Sequence, residues 1–535
     1  MAQQFIDYIS SYFQPAVFSL TGINLFLFLI SVYFCKKPIK EFFGKINKKT
    51  WLLLLLIFLV GFSLRLFVSP HQFFQPCDEA EYIKSAGSLT FVSNYPFFLW
   101  GRAVRTAGWP LILAIAFKLF GTGLNTAFYF VSILGALTII NIFFVAFLLS
   151  KKEDIALYSA ALFSILPLHI LWSGSAETNV PGLFFLTLGL FFCLLYFHYY
   201  KNPKHCSKLL WASLLGMAFA CQFRPEYYVI FLAFCAELLV LNFHQIKKLI
   251  LPLTILFVLI TPNMFLNLNF LASGDWRNEK GNYWDTTNLI HNSLKRGGDL
   301  FNDLYHPYIL SVLYLGGFIY LFFRKRRVFL FLASWFLLFY FSYYSSWFGK
   351  ISPELGSRFF LNFYPVIVIS AAYAIKYLQN HLEFKNLKKI FSLFLCFIFL
   401  SILSCLVGQT NNFYNSEMFS ICKAETEIVK LAEKEISQNY TVFANLPRML
   451  AITDLNVLKL DLPPSYEEFF ADYDSRRILF FRDFTCLDSP KRERIQCPPY
   501  QDFRANCERM EEYPLIPILG YKFKDFTFGF YALKN

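Results

Sequence analysis

The sequence predicts an α-helical protein that crosses a membrane about a dozen times and carries one small α/β domain at its C-terminal end. Three observations point there. First, 56% of the 535 residues are hydrophobic and only 16% are charged, against about 25% charged in soluble domains. Second, apolar runs rich in Phe and Leu recur up to residue 408 and reach the roughly 20 residues that a membrane helix needs. Third, composition changes near residue 409, where the runs stop.

Taken in order, the expected spans are 16–35, 51–68, 125–149, 154–172, 177–200, 209–223, 225–242, 249–269, 306–323, 328–346, 358–378 and 389–408. Residues 1–15 hold no Lys or Arg, so the basic start of a cleavable signal is missing and 16–35 reads as a retained helix. The spans 209–223 and 225–242 adjoin at Pro225 and read as one broken helix or two.

Orientation comes from the loops. Lysines at 36, 37, 40, 45, 48 and 49 separate the first two spans, Lys151 and Lys152 follow the third, and Lys201, Lys204 and Lys208 follow the fifth. Lys247, Lys248, Arg324–Arg327 and Lys385–Lys389 continue the pattern on alternate loops. With the spans above, all of these fall on one side, which the positive-inside rule makes cytoplasmic. The N-terminus, the loops 69–124 and 270–305, and the segment 409–535 are then extracytoplasmic. The net charge of +13 is thereby explained by loops, and nucleic-acid binding is not indicated.

In the C-terminal segment, 441–445 and 476–481 have strand character, and 424–437 and 465–473 have helical character. Of 12 cysteines, Cys35, Cys193, Cys206, Cys221, Cys235, Cys396 and Cys405 read as small apolar residues. Cys77, Cys422, Cys486, Cys497 and Cys507 face outward, and the last four allow two disulfides of undetermined pairing. They show no CxxC spacing for zinc.

The chemistry-bearing residues lie in the first outer loop and at later turns on the same side. PCDEAEYIKSA, residues 76–86, sets Asp78, Glu79 and Glu81 directly after a membrane helix, with Tyr82 beside them. A carboxylate there suits a general base or a divalent-cation ligand. It equally suits a helix start, with Asp78 as N-cap and Glu81 as reciprocal cap. Further on, Arg102 and Arg105 run against the positive-inside trend, placed to grip a lipid phosphate or bilayer headgroups. Residues 109–120 are too short to span and read as an interfacial helix anchored by Trp100 and Trp109. Arg224 and Glu226 in QFRPEYY sit between apolar runs, where ionisable groups face a protein interior or pair with each other. Glu177 in SAETNVP marks another outer turn, and Arg358 in ELGSRFFLNFYP opens the eleventh span. No P-loop, Rossmann glycine pattern, HExxH or GxSxG is present, which argues against a nucleotide-driven pump and the common hydrolases.

These residues, in this order, resemble the GT-C glycosyltransferases, in particular the protein O-mannosyltransferases, the lipid A aminoarabinose transferases and the bacterial RgtA/B/C/D-like group. The resemblance covers roughly residues 51–408. It rests on the outer Asp78–Glu79 pair, the Arg-Thr-x-Gly-Trp-Pro segment at 105–110, ETNVP at 177–181, Arg-Pro-Glu at 224–226 and SRFFLNFYP at 357–365. It implies three parts: an extra helix and basic loop over 1–50, a catalytic membrane module over 51–408, and an extracytoplasmic domain over 409–535. It implies transfer of one sugar from a polyprenyl-phosphate donor to a glycolipid, polysaccharide or protein at the outer face of a bacterial cytoplasmic membrane. Asp78 becomes the catalytic carboxylate, as base or as ligand of Mg or Mn, and Glu79 the second acid. Arg105, Arg224, Arg358 and Arg102 become candidates for the donor phosphate. The chain departs from many relatives in lacking a His-Pro-Pro segment and in having Val104 where the aminoarabinose transferases carry an acid. Single displacement from the far face predicts inversion at the anomeric carbon. A flippase of lipid-linked sugars, a non-catalytic scaffold and an O-antigen ligase or polymerase are the competing readings; the repeated halves common in transporters are not evident.

Overall fold

The computed structural model describes residues 2–74, 76–90, 106–200, 202–241, 247–272, 286–296, 298, 301, 306–345, 357–384, 388–436, 439–444, 450, 456–459, 478–482, 486, 506–508, 510–513, 515–523 and 526–533. Helices α1 (Ala2–Phe34), α2 (Lys36–Phe43) and α3 (Lys48–Phe67) lead into α4 (Pro76–Leu89) and α5 (Gly108–Phe120). The bundle continues through α6 (Leu124–Ser150), α7 (Glu153–Ser164), α8 (Pro167–Trp172), α9 (Asn179–Tyr199), α10 (Pro203–Cys221) and α11 (Tyr227–Leu241). It closes with α12 (Lys247–Ala272), α13 (Thr286–Arg296), α14 (Tyr308–Arg324), α15 (Arg326–Tyr344), a 3₁₀ turn Ser357–Phe363, α16 (Tyr364–Phe384) and α17 (Lys388–Tyr414).

Among the described residues, seven helices are long and apolar enough to cross a membrane, and four shorter apolar helices accompany them. Large apolar side chains stay exposed along the outer faces of α3, α14 and α17, among them Leu55, Leu59, Ile319, Phe323, Phe397 and Leu400. In water such faces would be buried; in hydrocarbon they are the solvated faces. The chain is a multi-pass membrane protein.

The expected spans at 16–35, 51–68, 125–149 and 177–200 match α1, α3, α6 and α9. The single span expected over 154–172 is broken: α7 ends at Ser164, and Pro167 starts α8 as its first residue. Proline lacks the N–H that would continue the ladder. Arg65, fully buried at the end of α3, fills the break. Its Nη1 donates to the carbonyls of Gly61 (2.7 Å) and Ser164 (3.0 Å), and its Nη2 to Phe163 (3.4 Å). The alternative left open at Pro225 resolves as two helices, α10 and α11, separated by residues 222–226. The last membrane helix runs on to Tyr414, past the change of composition.

At the centre, α9 packs on α6 and α10, and α14 on α16. Gly317 of α14 lets the Ser370 backbone of α16 approach so closely that a Cβ at 317 would overlap the Ser370 carbonyl. Gly317→Ala therefore pushes α16 away from α14. It is expected to destabilise the protein by about 1–3 kcal/mol, read as a lowered melting temperature in detergent.

After α17, Ser416 caps α18 (Glu417–Glu435) by accepting from the Phe419 N–H at 3.1 Å. The strands are β1 (Thr441–Ala444), β2 (Asn456–Lys459), β3 (Ile478–Arg482), β4 (Leu515–Phe523) and β5 (Phe526–Leu533), in the order β2-β1-β3-β5-β4. β1 is parallel to β2 and β3, while β3–β5 and β5–β4 are antiparallel. The expected strands at 441–445 and 476–481 correspond to β1 and β3, and the helix expected at 424–437 corresponds to α18. The helix expected at 465–473 lies outside the described residues. The period of two splits the sheet. Val442, Ala444, Leu479, Phe481, Phe528 and Phe530 join the same apolar core as the helical bundle, while Phe443, Ile478 and Phe480 form a small core with Met510 and Tyr513. The four cysteines of the C-terminal segment allow two disulfides. Cys486 and Cys507 form one, but Cys422 is a buried free thiol inside the main core, so it does not enter a second. The side chains of Cys77 and Cys497 lie outside the described residues.

Candidate active site

The polar turn Ser173–Thr178, between α8 and α9, is the hub of the site. It is fixed from several sides. Ser132 donates to the Ser173 carbonyl at 2.8 Å, and the Trp109 indole donates to the Ala176 carbonyl at 2.7 Å. Trp109 is thus fully buried in the protein and is not the interfacial anchor expected of it, because its one donor is used inward. Trp100 lies outside the described residues.

Asp78 and Glu79 both sit in the first turn of α4, which begins at Pro76. Asp78 is therefore not the N-cap expected from sequence; the proline takes the first helical position, where its missing N–H is harmless. Neighbouring residues on a helix point about 100° apart, and the two acids part accordingly. Glu79 is fully buried, accepting the Phe74 N–H on one oxygen (2.6 Å) and the Ala176 N–H on the other (2.7 Å). It ties α4 to the hub turn. Asp78 keeps a side chain 17% exposed and lies 3.9 Å from Nη2 of Arg358. On the same helix Tyr82 is buried and Glu81 half-buried.

Arg358 is held by the 3₁₀ turn that precedes α16. Its Nη1 donates to Glu177 at 2.7 Å, so one guanidinium faces two carboxylates. Burial pushes the Glu177 carboxyl up, Arg358 and Arg224 oppose this, and Asp78 adds to it. The backbone locks the same corner, for Asn179 donates to the Arg358 carbonyl at 3.1 Å and Trp172 to the Ser357 hydroxyl at 3.2 Å.

Arg224 and Glu226 pair with each other across Pro225. Arg224 Nη1 also donates to Asn179 (2.8 Å) and Thr178 (3.3 Å), and Glu226 accepts from the Tyr343 hydroxyl at 2.7 Å. Burial works against the Arg224 charge, but Glu226, the two tyrosines and Glu177 outweigh it and raise its affinity for the proton. Tyr227 donates to Asn362 at 3.0 Å. The Phe359 ring lies near both guanidinium carbons, 5.1 Å from that of Arg224 and 5.2 Å from that of Arg358, within cation–π range.

The structure thus brings together Asp78, Glu79, Glu177, Arg224, Glu226 and Arg358. Arg102 and Arg105 lie outside the described residues. Sequence reasoning missed Thr178, Asn179 and Asn362, although they belong to ETNVP and SRFFLNFYP, and it missed Tyr343, which no local pattern marks. Glu79→Gln supplies one acceptor where two N–H groups need one each, and turns an NH₂ toward a donor. It is expected to destabilise the protein by about 1.5–3 kcal/mol, measured by thermal melting of the detergent-solubilised protein.

No family profile matches the sequence, and no curated protein matches it. Solved structures do. The Archaeoglobus fulgidus oligosaccharyltransferase tethered with an acceptor peptide containing the NVT sequon aligns at TM-score 0.53 and 12% identity, over 91% of this chain and 74% of that one. ArnT from Cupriavidus metallidurans in the apo state aligns at TM-score 0.52 and 11% identity, over 79% of this chain and 88% of that one. The fold is that of the GT-C glycosyltransferases. A complex of the same oligosaccharyltransferase with Zn and sulfate aligns at TM-score 0.52 and 14% identity, over 90% of this chain and 73% of that one. Among the described residues the side chains at the site do not form a ready donor set for a metal. No three His, Cys, Asp or Glu side chains converge there as ligands, one oxygen each of Asp78 and Glu177 faces the Arg358 guanidinium, and both oxygens of Glu79 are taken by N–H groups.

Proposed function

We propose that this chain is a membrane glycosyltransferase that moves one sugar from a polyprenyl-phosphate donor to a glycolipid, polysaccharide or protein outside the cytoplasm. The observation that carries the reading is a partly open carboxylate, Asp78, 3.9 Å from the buried cation Arg358, at the end of the bundle just after a membrane helix. The GT-C fold supports it, and the alternating loop lysines favour an extracytoplasmic Asp78, in this reading at a bacterial cytoplasmic membrane.

In this reading Asp78 takes the proton from the acceptor hydroxyl as that oxygen attacks the anomeric carbon. The carbon–oxygen bond to phosphate breaks, its electron pair stays on the phosphate, and the lipid leaves as polyprenyl phosphate. Attack opposite the leaving group inverts the anomeric centre; a product of retained configuration overturns that step. Arg358 offsets charge that builds on the leaving group. Arg102 and Arg105 are assigned to the donor phosphate by their place in the sequence. Arg224, engaged by Glu226, Thr178 and Asn179, holds the hub turn, and Glu79 acts as a positioning residue.

The test is chemical turnover without a bilayer. Purified protein in detergent is given undecaprenyl-phosphate-linked sugars and candidate acceptors, and release of undecaprenyl phosphate is measured. Release coupled to a glycosylated product supports a transferase. A protein that moves these lipids across vesicles but releases nothing in detergent is a flippase, and the proposal falls.

A further inference from the structure

Residues Gln72, Phe73 and Phe74, all buried, lead from α3 to the acidic helix α4. Their polar groups are met by one stripe of α18. The Gln72 amide donates to the Phe419 carbonyl at 3.1 Å, and the Phe73 N–H donates to the Thr426 hydroxyl oxygen at 3.0 Å. The Cys422 thiol lies 3.7 Å from the Phe74 carbonyl. Positions 419, 422 and 426 recur at helical spacing and share a face. Thr426 is itself oriented, because its hydroxyl donates back to the Cys422 carbonyl at 2.7 Å.

The other ends of this segment reach both halves of the site. The Phe74 N–H is the group that Glu79 accepts, one residue from Asp78. The Phe74 ring packs edge-on against Trp172, whose indole bonds Ser357 beside Arg358. A displacement of Phe73 and Phe74 therefore reaches Asp78 and Arg358 by two separate routes and disturbs their spacing.

We propose that α18 clamps residues 72–74, and that Thr426 is a positioning residue that holds Asp78 against Arg358. The helix that opens the sheet-bearing segment is on this view part of the active-site frame. The clamp stands on geometry alone; its effect on turnover rests on the reading of Asp78 given above.

The test uses the full chain in detergent, as wild type, Thr426→Val and Thr426→Ser. Valine keeps the shape but leaves the Phe73 N–H buried without its acceptor. Hydrogen exchange at Phe73, Phe74 and the first turn of α4 is expected to rise about tenfold in Thr426→Val and to return toward wild type in Thr426→Ser. Cys422 becomes open to N-ethylmaleimide in the valine variant only. Peptides from α9 and α16 serve as the control and exchange as in wild type. The maximal rate of polyprenyl phosphate release falls with KM for the donor unchanged. Wild-type exchange at Phe73 in Thr426→Val overturns the clamp, as does a rise spread equally over α9 and α16. If exchange opens as expected while Asp78→Asn is fully active, the clamp stands and the catalytic reading fails. If exchange is unmoved while Asp78→Asn is dead, the reverse holds.

Discussion

Asp78→Asn is expected to lower sugar transfer by about 10²–10⁴-fold while the protein accumulates in the membrane and melts at or above the wild-type temperature. The amide keeps the shape of the carboxylate but accepts no proton. Stability is retained because Asp78 is the more distant of two acids on one guanidinium. Glu177 holds Arg358 at 2.7 Å, whereas Asp78 stands at 3.9 Å. Removing the outer charge leaves a balanced buried pair and relieves repulsion between the acids. The readouts are polyprenyl phosphate release and thermal melting on the same preparation. A fully active Asp78→Asn protein sinks the assignment.

Arg358→Met has the larger structural effect. It leaves Glu177 buried without its cation, and stripping one partner from a buried pair costs about 3–5 kcal/mol. The double variant Arg358→Met, Glu177→Gln recovers much of the loss, because the orphan charge is gone. The single variant also acquires a pH dependence of definite sign. Burial already pushes the Glu177 carboxyl up, against the pull of Arg358. Without Arg358 it rises further, so the folded state binds a proton that the unfolded state has released. Stability of Arg358→Met then increases as pH falls through the folded-state value toward the ordinary carboxylate range, and is lowest at alkaline pH. Melting curves at two pH values check this; a wild-type melting temperature for Arg358→Met contradicts the buried pair.

Much of the bundle was legible because hydrocarbon demands long apolar runs, and the acidic and basic positions stood out against them. The roles within the site were less so. Asp78 and Glu79 are adjacent and chemically alike, and only the rotation of α4 sends one toward Arg358 and the other into backbone N–H groups. The break at Pro167 was readable, since proline inside an apolar run ends a helix, but its filling by Arg65 was not, for the two residues are far apart in sequence. Strands β2, β4 and β5 are absent from the sequence-based expectation. FTFGFY in β5 alternates as a half-buried strand does, while Pro517 marks β4 as the edge strand it is.

The Glu177–Arg358 pair has a temporal side. Its partners are 181 residues apart, so at ordinary elongation speeds of about 5–20 residues per second the acid is synthesised roughly 10–35 seconds before its cation. Through that interval several helices have entered the membrane while Asp78 and Glu177 lack Arg358, and Arg224, which also acts on Glu177, comes part-way through it. Both acids are therefore best kept at the water-facing end of the nascent bundle until the 3₁₀ turn carrying Arg358 arrives ahead of α16. Arg224, with Glu226 two residues away, has no such wait. Assembly of the site is in this sense a late step of biogenesis, completed only when α16 is seated.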